Sequence, residues 1–203
     1  VEAARRVKAR HPQVRFVLLG GLDDNPGALT ESEVRRWVQE GTIEWPGHVP
    51  VQPWLAQASV YVLPSYREGV PRSTQEAMAM GRPVITTDAP GCRETVVDGV
   101  NGFLVPVRDA EALAQRMLWF VAHPEAIGPM GAQSRRLAEE RFDVREINRR
   151  LMALLGVGVG TYLPVAQELT GNPVLAHNTF LQIMAEWGLP MALIFLTWAI
   201  RAT

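Results

Sequence analysis

The chain has 203 residues, of which 47% are hydrophobic, and its 20 basic and 21 acidic residues give a formal net charge of −1. This balance argues against binding to nucleic acid, because no overall field attracts a polyanion, and any anion site must be local. The single cysteine, Cys92, excludes an internal disulfide and fits a reducing compartment.

Short apolar runs alternate with helical segments along most of the chain. The predicted helices are 1–10, 30–40, 54–58, 71–80, 109–122 and 126–140. The predicted strands are 14–19, 43–45, 60–63, 84–87 and 103–105. Thr30 and Glu33 form a capping box, and Gly81 is the predicted cap at the end of the fourth helix. The alternation predicts an α/β fold, with a Rossmann-like parallel sheet, buried apolar strands and helices on both faces.

The composition changes near residue 150, which predicts a domain at 1–150 and a short α-helical tail at 151–203. Residues 151–167 carry no charge, and Trp187 to Ile200 is a second uncharged run. That run is shorter than the roughly 20 residues that span a bilayer. It fits either a complete apolar helix or a longer helix truncated at Thr203.

The segment from Glu68 to Glu76 is the strongest candidate site in the sequence. It follows a predicted strand, at the end where open α/β sheets bind ligands. Pro71 suits the first turn of a helix, whose free N–H groups bind a diphosphate well. Gly69 lets the backbone approach a ligand, and the two carboxylates can accept hydrogen bonds from sugar hydroxyls. By spacing alone, the two glutamates also fit a helix-dipole role or a glycosidase acid–base pair.

Several motifs occur in order around this segment. They are Pro64-Ser65, Glu68-Gly69-Val70-Pro71, Glu76 to Ile85, Gly91-Cys92-Arg93-Glu94 and Asn101 to Pro106. In this order and spacing they resemble the nucleotide-sugar half of the family 4 glycosyltransferases, the retaining enzymes of the GT-B fold. The looser likeness covers residues 1–155.

The resemblance implies a role for each residue of the candidate site. Glu68 would contact the donor sugar as the catalytic residue, and Glu76 would bind the ribose hydroxyls. The other donor-binding residues would act mainly through their backbone: Gly69, Val70 and Pro71 on the sugar, Arg72 and Ser73 on the diphosphate, and His48 and Val49 on the base.

The resemblance also implies an activity. It is the retaining transfer of a hexose from a nucleotide-sugar to a glycan or a lipid-linked acceptor, in the biosynthesis of bacterial surface polysaccharides. Such a reaction needs no metal and no cofactor, and it occurs in the cytoplasm or at the inner face of the membrane, with peripheral or C-terminal membrane association. The family's acceptor domain and its basic strand are not in this sequence, so we expect weak donor binding and doubtful turnover by the chain alone. A non-catalytic nucleotide-sugar-binding fragment is the alternative.

The tail carries a second resemblance. Gly156 to Gly160, Ala176 to Gln182 and Glu186 to Pro190 resemble the O-antigen ligase and polymerase family of the inner membrane, whose histidine in a periplasmic loop is catalytic. The matching residue is His177, although a lone histidine beside an asparagine also fits a surface position. A fragment of such a ligase is therefore a further alternative. The two resemblances belong to opposite sides of a membrane, which suggests that two neighbouring polysaccharide genes are joined here.

Overall fold

The computed structural model describes residues 1–22 and 28–154, without the side chains of 150–154. The chain divides into two compact units, Val1–Asp143 and Val144–Thr203. In the second unit the described part is a single helix, on which Arg149 forms a bidentate ion pair with Glu146. The tail at 151–203 lies almost wholly outside the described residues, and the division near residue 150 stays a prediction.

Helices and strands alternate through the first unit, which confirms the predicted order of elements. The strands are β1 (Val17–Leu19), β2 (Glu44–Gly47), β3 (Tyr61–Leu63), β4 (Val84–Thr87) and β5 (Gly102–Val105). The helices are α1 (Glu2–Arg10), α2 (Glu31–Gln39), α3 (Gln52–Gln57), α4 (Arg72–Ala79), α5 (Ala110–Ala122), α6 (Ile127–Phe142) and, in the second unit, α7 (Val144–Leu154).

All strand pairs are parallel, which confirms the α/β prediction. The strands form two hydrogen-bonded ladders, β1–β2 and β3–β4–β5. In the larger ladder Tyr61 is opposite Val84, and Ile85 is opposite Phe103. Parallel strands point the same way, so β3, β4 and β5 all end at one edge of their ladder.

Helices cover both faces of the β3–β4–β5 ladder. Ile85 and Phe103 point to one face, where they pack with residues of α1 and α5. Val84 points to the opposite face, where it packs with Met78 of α4 and with residues of α6. Since successive residues of a strand alternate between faces, β4 is enclosed on both sides. The prediction of helices on both faces is confirmed for this ladder.

Burial differs sharply between the strands. All four residues of β4 are buried, as expected for a central parallel strand. In β1, however, Val17 and Leu18 are 38% and 37% exposed, so the expected burial is wrong there. Among the described residues β1 pairs only with β2, whereas β4 has a strand on each side. The apolar run therefore predicted that a strand forms there, but it did not predict how deeply the side chains of that strand are buried.

The helix ends agree with the capping residues in the sequence. The Thr30 hydroxyl accepts from the Glu33 N–H, and the Glu33 carboxylate accepts from the Thr30 N–H, which is the predicted capping box. Gly81 follows α4 with φ at +67°. Its N–H donates to the Met78 carbonyl, and the Arg82 N–H donates to the Ala77 carbonyl, which completes a Schellman motif.

Candidate functional site

Three loops meet at the carboxyl edge of the β3–β4–β5 ladder. Residues 64–71 lead from β3 into α4 and include Glu68. The Glu68 N–H donates to the carbonyl of Pro90, in the loop after β4, over 3.2 Å. In the loop after β5, the Arg108 guanidinium lies 5.0 Å from the centre of the Tyr66 ring. The predicted segment therefore lies where ligands bind in open α/β sheets, and neighbouring loops support it.

The first turn of α4 has no side-chain cap. Pro71 is buried and occupies the N-cap position in an extended conformation, one residue before the helix begins at Arg72. Arg72 and Ser73 are exposed, whereas Thr74 is fully buried. The first N–H groups of a helix lack partners inside the helix and carry the positive end of its dipole. This turn can therefore accept an anionic oxygen from solvent.

Two carboxylates lie on either side of this turn. Glu68 is exposed, and its Oε1 accepts a hydrogen bond of 2.7 Å from the Ser65 hydroxyl. Glu76 lies in the second turn of α4 and is half-buried. The structure thus brings Glu68, Glu76 and the start of α4 into one region, as the sequence predicts. Their roles toward a ligand stay predictions.

Tyr61 is a member of this region that sequence reasoning missed. The pKa of the Tyr61 hydroxyl is raised, mainly because the group is buried. The neighbouring Ser73 and Thr74 side chains oppose that rise, and the charges of Glu76 and Glu68 add to it. The negative charges of both carboxylates therefore act on the Tyr61 hydroxyl. No sequence signal marks it, because it belongs to the preceding strand and looks like an ordinary strand aromatic.

The Thr74 hydroxyl is a buried polar group near the start of α4. Its oxygen has no partner with hydrogen-bond geometry in the described part of the chain, although the Tyr61 side chain lies beside it. A buried hydroxyl without a full partner is unusual in a protein interior.

Two glycines of the site have different surroundings. Gly69, predicted to allow close approach of a ligand, has open space where a side chain would begin, so packing within the protein does not require glycine there. The crowded position is Gly91, where a Cβ would collide with the carbonyl oxygens of Glu68 and Gly69. Val70, the next residue of the predicted sugar-binding turn, is 42% exposed.

His48 and Val49 lie apart from this cluster in the hydrogen-bond network. They follow β2, at the carboxyl end of the β1–β2 ladder, and the His48 Cβ would lie 3.7 Å from a Cβ on Gly21. No hydrogen bond between described residues joins either one to the segment from Glu68 to Glu76. Their role at a nucleotide base stays a prediction.

Two further expectations concern metals and membranes. The described residues contain no group of three or more His, Cys, Asp or Glu side chains placed to hold a metal ion. None of the described helices combines the length and the apolar character that crossing a bilayer requires. His177 lies outside the described residues, so its proposed role stays a prediction.

Comparison with known proteins places the site within a family match. The family model for glycosyl transferases group 1 matches residues 1–123, which include the whole of the segment from Glu68 to Glu76. The colanic acid biosynthesis protein WcaL of Salmonella typhimurium, named as a glycosyltransferase, is 34% identical over 166 residues. That alignment covers 76% of this chain and 40% of WcaL, so the chain spans well under half of this relative's length.

Two solved structures share the fold. The sucrose-phosphate synthase of Thermosynechococcus elongatus is 28% identical, with a TM-score of 0.67 over 76% of this chain and 41% of the other. The protein HepE of Anabaena, solved in complex with UDP, is 26% identical, with a TM-score of 0.65 over 76% of this chain and 44% of the other.

Proposed function

Because the chain belongs to the glycosyl transferases group 1 family, we propose that its first unit is the donor-binding half of a retaining glycosyltransferase of family 4. The observation that carries this proposal is the uncapped start of α4 between the carboxylates of Glu68 and Glu76. It offers N–H donors for phosphate oxygens and acceptors for hydroxyls on both sides. A nucleotide-sugar has matching groups in the same order, because its diphosphate lies between the hydroxyls of a ribose and those of a hexose.

Each part of the donor has a proposed partner. The diphosphate binds the N–H groups of Arg72 and Ser73, and the ribose hydroxyls donate to Glu76. The hexose contacts Glu68 and the backbone of Gly69, Val70 and Pro71, and the base lies near His48 and Val49. The complex of Anabaena HepE with UDP supports a uridine nucleotide as the first donor to test.

The proposed reaction exchanges one bond at the anomeric carbon. The bond from this carbon to the diphosphate oxygen breaks, while a bond to the acceptor hydroxyl oxygen forms on the same face. The departing phosphate takes the proton of the acceptor hydroxyl. The chain contributes orientation of the sugar through Glu68 and stabilisation of the departing negative charge by the dipole of α4. In this proposal no metal or cofactor takes part.

The acceptor in this proposal is a glycan or a lipid-linked glycan of a bacterial surface polysaccharide. The likeness to a colanic acid biosynthesis protein supports this class of product. The reaction then belongs in the cytoplasm, at the inner face of the membrane, with peripheral association. A non-catalytic donor-binding role and, for residues 157–203, an O-antigen ligase fragment containing His177 are the alternatives.

Calorimetric titration of the purified chain tests the donor site. UDP, UDP-glucose and the corresponding GDP and ADP compounds are added to wild type, Glu76→Gln and Glu68→Gln. A hydrogen bond to a charged group contributes about 1.5–3 kcal/mol, so Glu76→Gln should weaken both free nucleotide and nucleotide-sugar by roughly ten- to a hundredfold. Glu68→Gln should weaken only the nucleotide-sugar.

The control is Glu125→Gln, an exposed glutamate before α6, which should bind like wild type. No binding by wild type, or equal binding by Glu76→Gln, would contradict the site assignment. Release of free nucleotide after addition of a glycan acceptor separates an enzyme from a binding fragment, and no turnover by a binding-competent chain favours the fragment.

A further inference from the structure

This inference rests on the proposed function and concerns what holds Glu68 in place. Glu68 is in an exposed loop, and a free glutamate side chain samples many rotamers. A carboxylate that must meet sugar hydroxyls in one geometry needs support from its neighbours. The structure shows two such supports, and both lead back to β4 or to the loop that follows it.

The first support is a relay of two hydroxyl groups. The Thr87 hydroxyl, at the end of β4, donates to the carbonyl of Ser65, just past the end of β3. Thr87 is 2% exposed, so this contact fixes the Ser65 backbone to the central strand of the ladder. The Ser65 hydroxyl in turn donates to the Glu68 carboxylate over 2.7 Å. The orientation of Glu68 is thereby linked to a buried strand.

The second support is the close approach of two backbones. Gly91 has φ at +81°, and a Cβ there would collide with the carbonyl oxygens of Glu68 and Gly69. The neighbouring carbonyl, on Pro90, accepts the Glu68 N–H. The loop after β4 therefore lies directly against the turn that carries Glu68, and only glycine at position 91 permits this distance.

We propose that Ser65, Thr87 and Gly91 are positioning residues for the Glu68 carboxylate, and that recognition of the donor sugar depends on them while recognition of the nucleotide does not. Ser65 uses one acceptor position on Oε1, which leaves the rest of the carboxylate for sugar hydroxyls. Ser65 and Thr87 act on the sugar through Glu68, and Gly91 acts through the turn of Glu68 and Gly69. The nucleotide contacts assigned above lie on α4 and after β2.

The direct test compares the best-bound of UDP-, GDP- and ADP-glucose with its free nucleotide diphosphate, by calorimetry on the whole chain. Ser65→Ala should weaken the sugar nucleotide by about three- to tenfold and leave the free nucleotide unchanged. Ser65→Thr retains the hydroxyl and should restore most of the lost affinity. An unchanged ratio of the two affinities in Ser65→Ala, or no rescue by Ser65→Thr, overturns the role of Ser65.

A matched pair of glycine variants tests the close approach of the Gly91 backbone to Glu68 and Gly69. Gly91→Ala places a methyl group against Glu68 and Gly69, whereas Gly99→Ala imposes similar left-handed strain, at φ of +75°, with open space around it. Gly91→Ala should abolish the preference for sugar nucleotide over free nucleotide and speed amide hydrogen exchange at Glu68. Gly99→Ala should retain that preference. Equal preference in the two variants overturns the role of Gly91.

The role of the Thr87 hydroxyl can be tested against the neighbouring threonine, Thr86, as a control. Thr86 is also buried on β4, and its hydroxyl donates to the Leu63 carbonyl over 2.8 Å. No hydrogen bond of the described residues joins the Thr86 side chain to Ser65. Thr87→Val should lower the preference for sugar nucleotide, and Thr86→Val should not. The same loss in both variants would show general damage to the strand and overturn the relay.

Failure of this inference is distinguishable from failure of the proposed function. If wild type binds none of the nucleotides or their sugars, the proposed donor site fails and the positioning role falls with it. If wild type prefers the sugar nucleotide and Ser65→Ala and Gly91→Ala keep the same preference, the donor site stands and only the positioning role is wrong.

Discussion

Tyr61 connects the core to the candidate site at the scale of a single residue. Its ring packs with the cluster that contains Met78 and Val84, while its hydroxyl reaches the start of α4. Burial, with the charges of Glu76 and Glu68, makes ionisation of this phenol unfavourable in the folded chain. Ionising Tyr61 should therefore loosen the region where the two carboxylates meet.

Titration of the tyrosines checks this directly. The folded pKa of Tyr61 is raised above its unfolded value of about 10, so its contribution to stability is complete below that pH. It is lost as the pH rises through the folded pKa. Tyr61→Phe should remove a phenolate signal that titrates above about pH 10 and flatten the fall of the unfolding free energy above that pH. The control is Tyr66→Phe, because residue 66 is 64% exposed. An unchanged fall of the unfolding free energy in Tyr61→Phe would contradict the assignment.

Some residues of the site could be predicted from sequence and others could not. Glu68, Pro71 and Glu76 stand in one continuous segment, so local rules of helix starts and hydrogen bonding made them candidates. Their roles came from the resemblance to a family. Ser65 and Thr87 are far apart in sequence, and they meet only because β3 and β4 pair in a particular register. Gly91 belongs to one of the family motifs. Glycine is required there because of a tertiary contact with the turn that carries Glu68, which the motif alone does not reveal.

At the scale of elements, the contact of α4 with α6 controls the placement of the site helix. Gly131, inside α6, lies against the turn that ends α4, where a Cβ would collide with the Gly81 carbonyl oxygen. The Arg135 guanidinium donates to the Ala79 carbonyl at the same end, over 2.5 Å. The C-terminal end of α4 is therefore fixed to α6, while its N-terminal end faces the candidate site.

A pair of glycine variants in α6 tests this packing. Gly131→Ala must push α6 away from α4 and should cost about 1–3 kcal/mol of unfolding free energy, as overpacking does. Gly128→Ala lies in the same helix with open space around it, and it should be neutral or stabilise by up to about 1 kcal/mol, because alanine favours the helix. Urea unfolding measures both. Equal stability of the two variants would contradict the tight α4–α6 contact.

Elements were predicted well where the sequence carries local signals. The capping box at Thr30 predicted the start of α2, and Gly81 predicted the end of α4, because capping depends on residues that are neighbours in sequence. The burial of β1 was predicted wrongly because depth depends on which strands and helices lie alongside, and an apolar run contains no such information.

At the scale of the whole molecule, the parallel ladder and its helices explain why one short segment can form a site. β3, β4 and β5 end at one edge, so the loops that carry Glu68, Gly91 and Arg108 all begin there. The loops after β4 and β5 both contact the loop that carries Glu68. Arg72 and Ser73, at the start of α4, are exposed. The family match at residues 1–123 includes all three of these loops.

The most direct test of the central claim is a titration of the isotopically labelled chain with UDP, followed by amide chemical shifts. We expect the largest shifts at Arg72, Ser73 and Thr74, because the first turn of α4 binds the diphosphate in the proposed complex. Addition of UDP-glucose should extend these shifts to Glu68 and Gly69. Saturable binding of UDP with its largest shifts elsewhere, or no shifts at millimolar UDP, would contradict the account.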